Sequence, residues 1–124
     1  MSLRVLLVDD DDPILQVLSS CLTQGGHQVT SARDGVEAWD LFSADPDAFD
    51  VIISDMNMPR MDGAGLIERV RSAGHGTPVV AMSGTCSSEL VQKHLTNLNV
   101  MASLTKPFSV NDLETHLKRL EKTI

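Results

Sequence analysis

Residues 3–13 read LRVLLVDDDDP: an apolar run from Leu3 to Val8, then four consecutive aspartates, Asp9 to Asp12, and a proline. The run is short and nearly unbroken, which suits a strand buried on both faces of a parallel sheet. Ending a buried strand in four like charges is unfavourable unless the charges serve something. Directly after them, Ile14, Val17, Leu18, Cys21 and Leu22 follow helical spacing, with Asp12 expected as the N-cap and Pro13 at the first helical position. Gly25-Gly26 is expected to end that helix. The stretch reads as strand, acidic turn and helix.

The same alternation continues along the chain. Strand-like runs are expected at Leu3–Val8, Gln28–Ala32, Asp50–Ser54, Pro78–Met82 and Val100–Thr105, the second and fifth being less apolar. Helical patterns follow at Ala38, Trp39 and Phe42; at Gly63, Leu66, Ile67 and Val70; at Leu90, Val91, Leu95 and Leu98; and at Leu113, Leu117, Leu120 and Ile124. Ser109 and Asp112 resemble a capping box for the last of these. Five strand–helix units predict an α/β fold with a parallel sheet, helices on both faces and one domain over residues 1–124. In such a fold ligands bind just past the carboxyl ends of the strands.

Composition narrows the function. The formal net charge is -7, which argues against nucleic-acid or anionic-membrane binding through this domain. Apolar residues make up 42% of the chain, ordinary for a soluble protein, and no apolar run reaches the ~20 residues of a membrane span. With no signal peptide visible, a cytoplasmic location is the expectation. Cys21 and Cys86 lack metal-ligand spacing, and Cys21 reads as a buried thiol. The four histidines are dispersed, and surface or boundary positions are expected for all of them. Trp39 reads as core or boundary packing; Met56, Met58 and Met61 read as half-buried packing in a loop.

The strand ends carry the chemistry. Asp9 to Asp12 follow the first run, Asp55 the third, Ser83 the fourth and Lys106 the fifth. Asp11 and Asp12 fit the start of a helix, where carboxylates are favoured. Asp9 and Asp10 could be solvated turn residues, but Asp55 arrives from a separate strand expected beside the first. Two carboxylates ~4 Å apart repel by about 4 kcal/mol at an effective dielectric of 20, so three converging ones call for a cation. Oxygen-only ligands favour Mg2+ or a similar hard cation. Ser83 or Lys106 alone would be bland. With a metal and a carboxylate nucleophile, they complete a set suited to handling a phosphoryl group.

At this point the chain resembles the receiver domain of two-component response regulators. The matching pieces are LLVDDDDP, ARDGVEAW, DVIISDMNMPRMDG, VVAMSG and LTKPF, spanning Arg4 to about Lys122. The resemblance implies a flavodoxin-like, doubly wound, five-stranded sheet in the order 2-1-3-4-5 with five helices. It implies that Asp55 is the phosphoacceptor and that Mg2+ or Mn2+ is held by Asp10 directly, by Asp9 largely through water, by Asp55 and by the backbone carbonyl of Asn57. Ser83 would hydrogen-bond one phosphoryl oxygen and Lys106 would pair with another, across a Lys106–Pro107 bond expected to be cis. Gly84 would leave access for the phosphodonor, and Gly63 would begin the third helix. The donor implied is a phosphohistidine on a sensor histidine kinase or histidine phosphotransfer protein in a bacterial phosphorelay. The domain would catalyse only its own phosphorylation and slow dephosphorylation, with Asn57 and Thr85 at the positions that tune hydrolysis. An output domain could be attached or separate.

One departure stands out. The family usually has Tyr or Phe three residues before the lysine, and here that residue is Ser103; the chain contains no Tyr. Switching is therefore expected to run through the Ser83–Ser88 loop or the fourth helix rather than an aromatic toggle. Two other readings remain at this point. One is a phosphatase resembling the haloacid dehalogenase group, for which "DMN" is a near miss because Asn57 lacks the second carboxylate. The other is an interaction domain that is never phosphorylated.

Overall fold

The computed structural model describes residues 3–56, 63–83, 100–105 and 110–123, with backbone alone for residues 83, 103, 105, 110 and 121–123. Strands are β1 (Arg4–Val8), β2 (Gln28–Ala32), β3 (Val51–Asp55), β4 (Val79–Ser83) and β5 (Ala102–Thr105). Among the described residues the α-helices are α1 (Asp12–Gln24), α2 (Gly35–Ala44), α3 (Gly63–Ser72) and α4 (Val110–Thr123), and a short 3-10 turn covers Pro46–Ala48. The helix expected over Leu90–Leu98 and the Ser109 half of the expected capping box lie outside the described residues.

The strands form one parallel sheet in the order β2-β1-β3-β4-β5. This explains the uneven apolarity of the runs. The two weaker ones, β2 and β5, are the edges; in β2 only Ala32 is fully buried, whereas all five residues of β3 are. Alternate residues of the central strands enter opposite cores. Val5, Leu7, Val51, Ile53, Val80 and Met82 pack with the leucines of α1 and α4. Leu6, Val8, Ile52, Val79 and Ala81 pack with α2 and α3 through Ala38, Phe42, Leu66, Ile67 and Val70. Both faces are covered, so a central strand has no polar side and reads as an unbroken apolar run.

Local signals set the helix ends, with one correction. The N-cap of α1 is Asp11, not Asp12: its Oδ1 accepts the Ile14 N–H at 3.3 Å, and Asp12 is the first helical residue. Asp34 caps α2 by accepting the Glu37 N–H at 2.8 Å, while the Glu37 carboxylate reaches back to the Arg33 N–H at 3.3 Å. Gly25 closes α1, and Gly26 turns the chain with φ +93°, a conformation other residues adopt only with strain.

Three further expectations meet a different outcome. Val17 lies on the solvent side of α1, 58% exposed, and Cys21 is half-buried rather than buried. Of the thirteen residues of α1, those buried are Leu15, Leu18 and Leu22, so the stripe facing the sheet is rotated from the expected set and includes Leu15. His27 is buried, not at the surface. Its Nδ1 accepts the Leu3 N–H at 3.1 Å and its Nε2 lies 3.5 Å from Glu114 on α4. His75 and Trp39 are boundary residues as expected, His75 edge-on to Phe42 and Trp39 beneath the Arg69 guanidinium.

Candidate functional site

The register of two neighbouring strands builds the site. β1 and β3 run parallel with Val8 opposite Ser54, so one step further places Asp9 opposite Asp55. The Asp9 N–H donates to the Ala32 carbonyl at 3.1 Å, tying the end of β1 to β2 as well. The Met56 N–H donates to the Met82 carbonyl at 2.8 Å, which extends the β3–β4 ladder past Asp55. Asp9 and Asp55 are thus held on rigid backbone at the carboxyl edge of the sheet.

Asp10 joins them. One carboxylate oxygen from each of Asp9, Asp10 and Asp55 lies within 4.8 Å of the others. Asp9 and Asp55 are buried and Asp10 is exposed. At 4.8 Å an ionised pair repels by about 3.5 kcal/mol at an effective dielectric of 20. Three hard oxygen donors, two shielded and one open to solvent, fit a divalent cation that keeps several of its waters.

The acidic turn then divides. Asp9 Oδ1 accepts the Asp11 N–H at 2.9 Å, folding the chain back on itself after Asp10. Asp11 turns to its capping bond, and Asp12 pairs with Arg33 at 3.2 Å across the turn between β2 and α2. Sequence reasoning missed Arg33. Its only signal was a lone cation directly after an expected strand, in SARDG.

Behind Asp55 the chain passes very close to itself. Gly63 opens α3 against Asp55 and Met56, and a Cβ there would collide with the Asp55 carbonyl oxygen and with Met56. Residue 63 must be glycine because no side chain fits between the start of α3 and the Asp55–Met56 backbone. Met56 packs as expected but more deeply: it is buried in the core beneath α3 rather than half-buried.

Ser83 is the last residue of β4, opposite Thr105, the last of β5, and Lys106 follows Thr105 in the chain. The Ser83 and Ser103 side chains, Asn57, Met58, Met61, Gly84, Thr85, Lys106 and the Lys106–Pro107 bond lie outside the described residues, as does the loop to Ser88.

A family model, the response regulator receiver domain, matches residues 5–118. The chain belongs to this family. Response regulator MprA from Mycobacterium bovis is 35% identical over 123 residues, which cover 97% of this chain and 51% of the relative. MprA from Mycobacterium tuberculosis is 34% identical over the same length. This receiver domain therefore spans about half the length of the curated relatives it matches. Among solved structures, the receiver domain of Francisella response regulator 1452 superposes with a TM-score of 0.89 at 34% identity, covering 98% of each chain. The Vibrio cholerae chemotaxis protein CheY4 gives 0.87 at 33% identity, covering 97% of this chain and 99% of that one. The chain is a receiver domain of two-component signalling with a flavodoxin-like α/β fold. Among the described residues no helix is long and apolar enough to cross a membrane.

Proposed function

We propose that this receiver domain is a phosphoacceptor in a two-component phosphorelay. The Asp55 carboxylate attacks the phosphorus of a phosphohistidine on a sensor kinase or phosphotransfer protein. The nitrogen–phosphorus bond breaks, the imidazole leaves, and an acyl phosphate remains on Asp55. The phosphorylated domain then changes its partner or output interactions. The observation that carries this reading is the convergence of Asp9, Asp10 and Asp55 within 4.8 Å at one edge of the sheet.

Asp9, Asp10, Asp55 and the Asn57 carbonyl would hold Mg2+ or Mn2+. Bound there, the cation would neutralise charge on the transferring phosphoryl oxygens. Asp9 and Asp55 sit on adjacent strand ends, so the nucleophile and one metal ligand keep their spacing without loop rearrangement. Ser83 and Lys106, from the ends of β4 and β5, are proposed to attend to two phosphoryl oxygens. Neither Asn57 nor Thr85 is a ready general base, which fits slow rather than fast self-dephosphorylation. The domain acts on itself and does not turn over a substrate. We take residues 1–124 as one cytoplasmic, bacterial receiver domain, with a fifth helix over Leu90–Leu98. An output domain, attached or separate, would read its state; the switch would run through the Ser83–Ser88 loop or that helix.

Incubation with acetyl phosphate and Mg2+, followed by intact-mass spectrometry, tests the assignment. One phosphoryl group per chain is expected, absent in Asp55→Asn and absent in EDTA. Labelling that survives Asp55→Asn, or continuous turnover of p-nitrophenyl phosphate, would overturn it. The second outcome would favour the phosphatase reading.

A further inference from the structure

Four adjacent aspartates pose a sorting problem for a metal site. All four are potential oxygen ligands, yet only Asp9 and Asp10 join Asp55 in the acidic trio. Asp11 is withdrawn by its capping bond to the Ile14 N–H. Asp12 is engaged by Arg33, whose Nε lies 3.2 Å from Asp12 Oδ1. Asp12 and Arg33 both line an open cleft of about 470 Å3 beside α1, together with Leu15, Ser19, Ser31 and Glu37. Asp12 thus has a partner and room on the side of β2.

We propose that Arg33 is a positioning residue for the metal site: it holds Asp12 out of the coordination set and so limits the carboxylates available to the cation. Stability is a poor reason for this pair. Its side chains are 70% and 56% exposed, and exposed ion pairs contribute little. Direction is a better one. The backbone of Arg33 is held in place, because its N–H is bound by Glu37 and the preceding Ala32 carbonyl accepts the Asp9 N–H. The guanidinium that engages Asp12 is therefore attached to the same backbone that holds Asp9. A site restricted to three carboxylates suits Mg2+, which keeps its waters and octahedral geometry. A fourth carboxylate would suit Ca2+, which accepts about six to eight oxygens in flexible arrangements.

The inference rests on the metal-binding part of the proposed function, and comparing two cations of equal charge separates the two. Calorimetric titration of the phosphate-free protein with Mg2+ and with Ca2+ gives a ratio of dissociation constants. Removing a positive charge alone would tighten both cations alike and leave the ratio unchanged. Arg33→Ala is expected to shift the ratio toward Ca2+ by about three-fold or more, because freed Asp12 adds an oxygen ligand that Ca2+ can use. Arg33→Gln should do the same, and Arg33→Lys, which keeps a cation facing Asp12, should retain the wild-type ratio. In the Asp12→Asn background, Arg33→Ala should no longer move it. An unchanged ratio in Arg33→Ala and Arg33→Gln, or a shift that persists with Asp12→Asn, overturns the inference while leaving the metal site standing. A wild-type protein that binds neither cation overturns the metal site itself and the inference with it.

Discussion

Replacing Asp10 by Asn should make the metal-free domain no less stable while removing most of its response to Mg2+. Asp10 lies within 4.8 Å of two other carboxylates. At the effective dielectric of a surface pair this distance means about 3.5 kcal/mol of repulsion per neighbour, and in bulk water about 0.9. Asp10 is exposed, so the lower figure is the better guide, and about 1 kcal/mol of net relief is expected. For a domain of this size that is an increase of about 3–5 °C in the melting temperature in EDTA. Mg2+ acts in the opposite sense. A ligand at ten times its dissociation constant stabilises the folded state by about 1.4 kcal/mol, and at a hundred times by about 2.7. The two proteins should therefore exchange rank: Asp10→Asn melts higher in EDTA, wild type higher in millimolar Mg2+. Differential scanning calorimetry in the two buffers is sufficient. A loss of 1 kcal/mol or more in EDTA would refute the reasoning, because Asp10 would then be holding the turn together. An unchanged response to Mg2+ would show that Asp10 is not a ligand.

Gly63→Ala should destabilise the domain by about 1–3 kcal/mol in urea, since the new Cβ meets the Asp55 carbonyl oxygen, which cannot move without disturbing β3. His27→Phe should cost about 1–3 kcal/mol despite keeping the bulk, because the Leu3 N–H loses its buried acceptor; hydrogen exchange at Leu3 should rise with it. Arg4 donates from its backbone N–H and side chain to Asp50 and holds that carboxyl below its ordinary 3.8. A carboxyl depressed by folding stabilises the native state fully above its unfolded value and loses that contribution as the pH falls through the folded one. The stability gap between wild type and Asp50→Asn should therefore be constant above about pH 5 and shrink on acidification below 3.8; a gap that widens there would reverse the assignment.

Much of the architecture was legible because burial on both faces leaves a mark on composition. Three strongly apolar runs became the central strands β1, β3 and β4, and two weaker ones became the edges. The carboxylates at strand ends were legible for the same reason: a charge at the end of a buried strand is carried to the sheet's carboxyl edge, where ligands bind. The misreadings were residues whose partners lie far along the chain. His27 follows two glycines and looks like a surface turn, yet its ring is enclosed by Leu3 and by Glu114, 87 positions away. Val17 fits a helical stripe by spacing, but the stripe that α1 buries runs through Leu15, Leu18 and Leu22 and leaves Val17 in solvent.

The aspartate run shows the same division on a small scale. Sequence alone determined that the four charges follow a buried strand, that a helix starts within them, and that a carboxylate from another strand is available to join them. Those are consequences of chain order and of the periodicity of burial. That Asp9 and Asp10 would be the pair to meet Asp55 was already expected from the sequence; which of the other two caps α1 and which turns to Arg33 was decided only in three dimensions. Four identical side chains carry identical propensities, so what distinguishes them is the register of β1 with β3, the Asp9–Asp11 turn and a cation delivered from the end of β2.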